Sequence, residues 1–60
     1  MIEVGKNVKL MAYNGQEIIR RVVEVRRETI YVCEEKEYDR AHQEGREPIS
    51  VGFNKRYVVD

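Results

Sequence analysis

Residues 18–33, IIRRVVEVRRETIYVC, decide how this chain folds. They read as two β-strands joined by a polar turn, because β-branched and aromatic residues crowd both ends and Arg26-Arg27-Glu28-Thr29 separates them. If Val25 lies opposite Ile30, alternation puts Val23, Val25, Ile30 and Val32 on one apolar face. The other face carries the mixed set Val22, Glu24, Tyr31 and Cys33. The turn has no Asn-Gly or Asp-Gly signal, so two-residue and four-residue loops are both open, and both keep the Val25–Ile30 pairing. Two doublets, Ile18-Ile19 and Val22-Val23, break the alternation. They predict a strand that bends or bulges and serves two halves of a barrel.

Upstream, residues 1–6 form an entry segment. Residues 7–13 alternate Val8, Leu10 and Ala12 against Lys9, Met11 and Tyr13, a strand pattern. Asn14-Gly15 follows, and both residues tolerate positive φ, so the first two strands are expected to pair as a hairpin. Two registers compete. A two-residue loop sets Leu10 opposite Ile19 and Val8 opposite Arg21. A three-residue loop with a bulge at Gly15 is expected to set Ala12 opposite Ile18 and Val8 opposite Val22, and it is preferred because it buries more apolar surface.

Downstream, residues 34–44, EEKEYDRAHQE, contain no β-branched side chain and are rich in helix formers. A helix is expected over residues 35–44, with acidic residues in its first turn and Gly45 at its C-terminal cap. Tyr38, Ala41 and His42 form a narrow stripe to lie on the barrel, while Lys36 and Arg40 face water. Pro48 ends the excursion. Residues 49–53, ISVGF, read as a fourth strand, residues 54–56 as a tight turn, and residues 57–59 as a short fifth strand. Val8, Leu10, Val23, Val25, Ile30, Val32, Val51 and Phe53 are the expected core.

At 60 residues this is a single domain with room for one small core, and its stability depends on good packing or on a partner. The lone Cys33 excludes an intrachain disulfide and fits a reducing compartment. No apolar run reaches the ~20 residues of a membrane span, and no signal-peptide core is present, so a cytoplasmic protein is expected. An initiating Met1 suggests a whole protein rather than an excised domain. The net charge is zero but unevenly placed. Residues 34–47 hold six acids against Lys36, Arg40 and Arg46, which leaves a mildly basic barrel beside an acidic appendage. That is a weaker basic footprint than a dedicated DNA binder carries.

The order of elements, strand, Asn-Gly hairpin, long bent strand, strand, helix, strand, tight turn and short strand, resembles an SH3-like (Src-homology-3-like) small barrel, as in Tudor, KOW and Src-homology-3 modules. The closing run Gly52-Phe53-Asn54-Lys55-Arg56-Tyr57-Val58 looks like the end of a Src-homology-3 domain, where an aromatic strand meets a 3₁₀ turn and Tyr-Val. The opening Val4-Gly5-Lys6-Asn7-Val8-Lys9-Leu10 is similar to the first strand of Tudor and KOW modules. The resemblance implies a mainly β, five-stranded small barrel with one short helix inserted before the fourth strand. There is no tryptophan, no proline in the tight turn and no acidic loop after the first strand, and only Tyr57 matches a peptide-contact position of the Src-homology-3 family.

No catalytic set stands out. His42 and Cys33 lie nine positions apart on different elements, and one His with one Cys cannot fill a tetrahedral metal site. The carboxylates Glu34, Glu35, Glu37 and Asp39 lack the spacing and glycine of a calcium loop and suit a solvated helix start. A non-enzymatic binding module without cofactor is therefore expected. Its partner is another protein or a second copy, and the surplus apolar residues Met11, Tyr13 and Tyr57, with one of Ile18/Ile19 and one of Val58/Val59, supply the surface. The alternative is weak nucleic-acid binding, in which Arg26 and Arg27 at the hairpin tip share a rim with Lys55 and Arg56 and Tyr31 stacks a base. Arg20 and Arg21 are the next basic candidates. The same arginine pairs also serve to keep an apolar hairpin soluble and its edge protected.

Overall fold

The computed structural model describes residues 2–59, so Met1 and the whole-protein expectation attached to it fall outside the described residues. Five antiparallel strands form one curled half-barrel sheet. They are β1 (Asn7–Met11), β2 (Glu17–Val25), β3 (Thr29–Cys33), β4 (Val51–Asn54) and β5 (Val58–Val59), in the spatial order β4-β3-β2-β1-β5. Helix α1 (Glu35–Glu44) stands between β3 and β4, and a 3₁₀ turn (Lys55–Tyr57) joins β4 to β5. No helix among the described residues is long and apolar enough to cross a membrane.

The central hairpin pairs Val25 with Ile30, as the alternation requires, and its loop closes with Arg26 N–H donating to Thr29 O at 2.8 Å. Further along, Val22 opposes Val32 while Glu24 opposes Tyr31, so Val23 is the extra residue of a β-bulge. The doublet Val22-Val23 therefore marks the bulge it was expected to mark. The bulge also corrects the face assignment. Val22, rather than Val23, turns inward and is fully buried, while Val23 is only half-buried. Val25 keeps its inward register but sits near the end of the sheet and is 37% exposed. The other doublet needs no bulge, since Ile18 faces the core and Ile19 is left in solvent.

Around the first turn, Gly15 adopts φ 86° and its N–H donates to Ala12 O at 2.9 Å. Ala12 N–H donates to Gln16 O, and Asn14 Oδ1 accepts the Gln16 N–H. This is the three-residue loop, but neither expected register is present. A loop of residues 13–15 must close between Ala12 and Gln16, which sets Leu10 opposite Ile18 and Val8 opposite Arg20. The slip from the preferred register is two residues, so Val8 and Leu10 stay on the core side. The strand stops at Met11, and Tyr13 stands in the turn.

Leu10, Val22, Ile30 and Val32 form the buried core, with Ile2, Val8, Ile18, Phe53 and Val58 packed around it. Val51 was expected inside but is 61% exposed, because it lies on an edge strand with no further strand beyond it among the described residues. Helix α1 has the expected bounds and turns Ala41 fully inward and Tyr38 partly inward. His42, expected on the same stripe, is exposed. Gly45 closes the helix at φ 68°, with Arg46 N–H donating back to Ala41 O.

Candidate interaction surface

The hairpin tip and the last turn do meet. Lys55 N–H donates to Glu28 O at 2.9 Å and Thr29 pairs with Asn54, so residues 26–28 and the 3₁₀ turn share one rim. Asn54 Oδ1 accepts the Arg56 N–H and starts the turn. The four cations on this rim are not equally available. Arg26 Nε donates to Glu24 Oε2 at 2.5 Å, and this hydrogen bond raises the guanidinium pKa above its ordinary value. The same guanidinium lies over the Tyr31 ring, 5.6 Å from its centroid, and Arg56 lies over Tyr57 at 5.3 Å. Arg27 and Lys55 make no ion pair among the described residues. Tyr31 also lies across Gly52, where a built Cβ would stand 3.1 Å from the ring, so the glycine makes room for the aromatic. A base that stacked on Tyr31 would have to displace Arg26.

Arg21 belongs elsewhere. It bonds Asn7 Oδ1 and Glu35 Oε1 and lies 5.2 Å from the Tyr38 centroid, which ties α1 to the sheet. The expected apolar residues are spread along β1 and the turns that flank it. Met11 is half-buried opposite Glu17, Tyr13 is fully exposed in the β1–β2 turn, and Tyr57 is 38% exposed just before Val58, which faces Leu10. Cys33 is buried and its thiol is pushed up, chiefly by that burial. His42 is exposed and lines different cavities from Cys33. Among the described residues no cluster of three or more His, Cys, Asp or Glu side chains is placed to hold a metal ion.

The surface that residue-by-residue reading missed runs along β4. An open groove of about 450 Å³, mainly apolar, continues the core outward between β2, the start of α1 and β4. Ile18, Val32, Ile49, Val51 and Phe53 give it an apolar floor, and Arg20 enters it with no ion-pair partner among the described residues. Ile49 and Val51 are 77% and 61% exposed there. Among the described residues β4 is hydrogen-bonded only to β3, so no described strand pairs with its outer edge.

A clamp ties the chain just ahead of this edge to α1. Arg46 donates to Glu37 Oε2 and to Glu44 Oε1, each at 2.7 Å, and Glu37 Oε2 also accepts the Ile49 N–H at 2.9 Å. The Arg46 hydrogen bond and then the Ile49 amide hold the Glu37 carboxyl down at about 2. Its partner guanidinium is correspondingly raised. The helix cap at Gly45 is what turns Arg46 back onto the first half of α1. One sequence signal did point to the groove: residues 48–54 carry no charge while Glu47 and Lys55 flank them. The clamp joins residues nine and twelve apart, a spacing that no regular element produces and no periodicity reveals. Protein-family models, curated proteins and solved structures all return no match to this chain.

Proposed function

We propose that this chain is a small non-enzymatic interaction module with a Src-homology-3-like barrel architecture, acting in the cytoplasm, that takes up an extended protein segment along β4. The observation that carries the reading is the open apolar groove beside an unpaired strand edge. Strand addition supplies main-chain hydrogen bonds, and pockets for alternate side chains supply selectivity. The strand order β4-β3-β2-β1-β5 is compatible with the barrel that the sequence resembles. Selection of a displayed library of linear peptides on the immobilised protein tests the reading. Peptides with alternating apolar residues are expected to enrich on the wild type and to be lost on Val51→Lys. A library that yields no such sequences overturns it.

A second reading rests on the Lys55–Glu28 hydrogen bond, which gathers Arg26, Arg27, Lys55 and Arg56 on one rim. With Arg26 already paired to Glu24, about three phosphate contacts remain, and binding to nucleic acid would weaken with salt at a logarithmic slope of roughly −3. Titration of single-stranded and duplex oligonucleotides at low salt decides it. Binding that is lost in Arg26→Glu/Arg27→Glu supports the rim, and no binding by the wild type removes it.

A further inference from the structure

The edge of β4 is complementary to itself, and we infer that its occupant is a second copy of this chain, paired antiparallel about a two-fold axis through Val51. The inference rests on the reading of β4 as an interaction edge and names the partner. Two observations set the geometry. Ile49 N–H points inward to Glu37 and Lys55 N–H points inward to Glu28, so the odd-numbered amides of this stretch face the body of the protein. Successive amides of a strand point to opposite edges, and the register from Val51 to Asn54 is unbroken, so Gly52 and Asn54 present their N–H and C=O groups to the open side. The inward Ile49 amide carries the same alternation back to Ser50, just before the strand.

The residue pattern then selects a single register. Around Val51 the chain reads Glu47-Pro48-Ile49-Ser50-Val51-Gly52-Phe53-Asn54-Lys55, an acid and a base equally far from the centre with only uncharged residues between them. Pairing Val51 with its own copy sets Ile49 against Phe53 of the partner copy and Glu47 against the partner copy's Lys55. It also sets Ser50 against the partner copy's Gly52, both with outward amides, so the ladder closes on hydrogen-bonded pairs. A slip of two residues one way puts Lys55 against Ile49, and the other way puts Glu47 against Phe53. A slip of one sets inward amides against outward ones. Ile49 and Val51, the exposed aliphatics of the groove, are thereby covered, and the grooves of the two copies join into one apolar strip. Pro48 has no N–H and stops the ladder there. Each copy uses β4 once, so the contact is isologous and closes as a dimer.

The edge is short, so the dimer is weak and concentration-dependent. Sedimentation equilibrium of the whole chain is expected to pass from monomer towards dimer between about 10 µM and about 1 mM, the regime of a small interface. Glu47→Lys and Lys55→Glu each turn two attractions at the ends of the paired stretch into repulsions and should weaken association about three- to tenfold, whereas the double exchange restores it. Val51→Cys should give a disulfide-linked dimer with oxidised glutathione that the wild type does not give, because facing residues at a non-hydrogen-bonded pair lie about 4.5 Å apart. A dimer indifferent to both single reversals, or not restored by the exchange, overturns the pairing. A monomer that still selects extended peptides removes self-pairing and leaves the groove reading in place, and a monomer that selects none removes both.

Discussion

Replacing Val22 by Ala, side by side with Val23→Ala, tests the bulge on which the core depends. Val22 is fully buried opposite Val32, among Leu10 and Ile30. The substitution deletes two methyl groups from that cluster, about 1.6 kcal/mol of transfer free energy at ~0.8 per buried carbon. A residual cavity adds up to about 1 kcal/mol if the sheet does not close over it. The sum, roughly 2–2.5 kcal/mol, compares with a total stability of about 3–9 kcal/mol for a chain of this size. At ~4–8 °C per kcal/mol, the thermal midpoint should fall by about 8–20 °C. Val23, half-buried on the bulge, has less to lose, and its Ala variant should cost under ~1 kcal/mol. Urea titrations followed by circular dichroism read both numbers, with an unchanged m-value confirming that only stability moved. If Val23→Ala proves as damaging as Val22→Ala, the strand has no bulge and the inward face is the one built on Val23.

Three further outcomes follow from particular contacts. Gly15→Val should cost ~1–3 kcal/mol through backbone strain alone, since φ is 86° and nothing lies within 4 Å of a built Cβ; an undisturbed variant would mean another turn. The Glu37 carboxyl is held at about 2 against an ordinary 4.5, so the stability it contributes is complete above about pH 4.5 and is lost as pH falls through 2. Urea midpoints of Glu37→Gln should accordingly fall less steeply than wild type over that window, and parallel curves would dismiss the clamp. Amides of α1 should exchange before those of β2 and β3, because Ala41 is its one fully buried side chain among the described residues; equal protection would contradict that order.

What the sequence settled by itself is whatever local chemistry controls. Val25–Ile30 pairing, the helix over residues 35–44 with its Gly45 cap, and the positive-φ glycine at position 15 all follow from periodicity, propensity and the freedom of glycine. Of the two apolar doublets, Val22-Val23 does mark the bulge, whereas Ile18-Ile19 lies in regular strand, so the pattern narrowed the bulge to two places and the fold chose between them. The meeting of the hairpin tip with the last turn was also foreseeable from element order. The tertiary structure decided the rest. Which member of Val22-Val23 is buried depends on which side of the bulge the partner strand resumes pairing, a choice that three-dimensional closure makes. The first hairpin's register depends on which residue closes the loop, and Gln16 does so through a main-chain bond that no side-chain pattern announces. Val51 has the alternation of a core residue, yet it is exposed because among the described residues no strand lies beyond β4, and neighbours across a sheet are absent from a linear pattern. The clamp of Arg46 on Glu37 and Ile49 shares that origin: it exists only once the helix cap has reversed the chain. The candidate edge is therefore legible as composition, an uncharged run between an acid and a base, while its availability is a property of the fold.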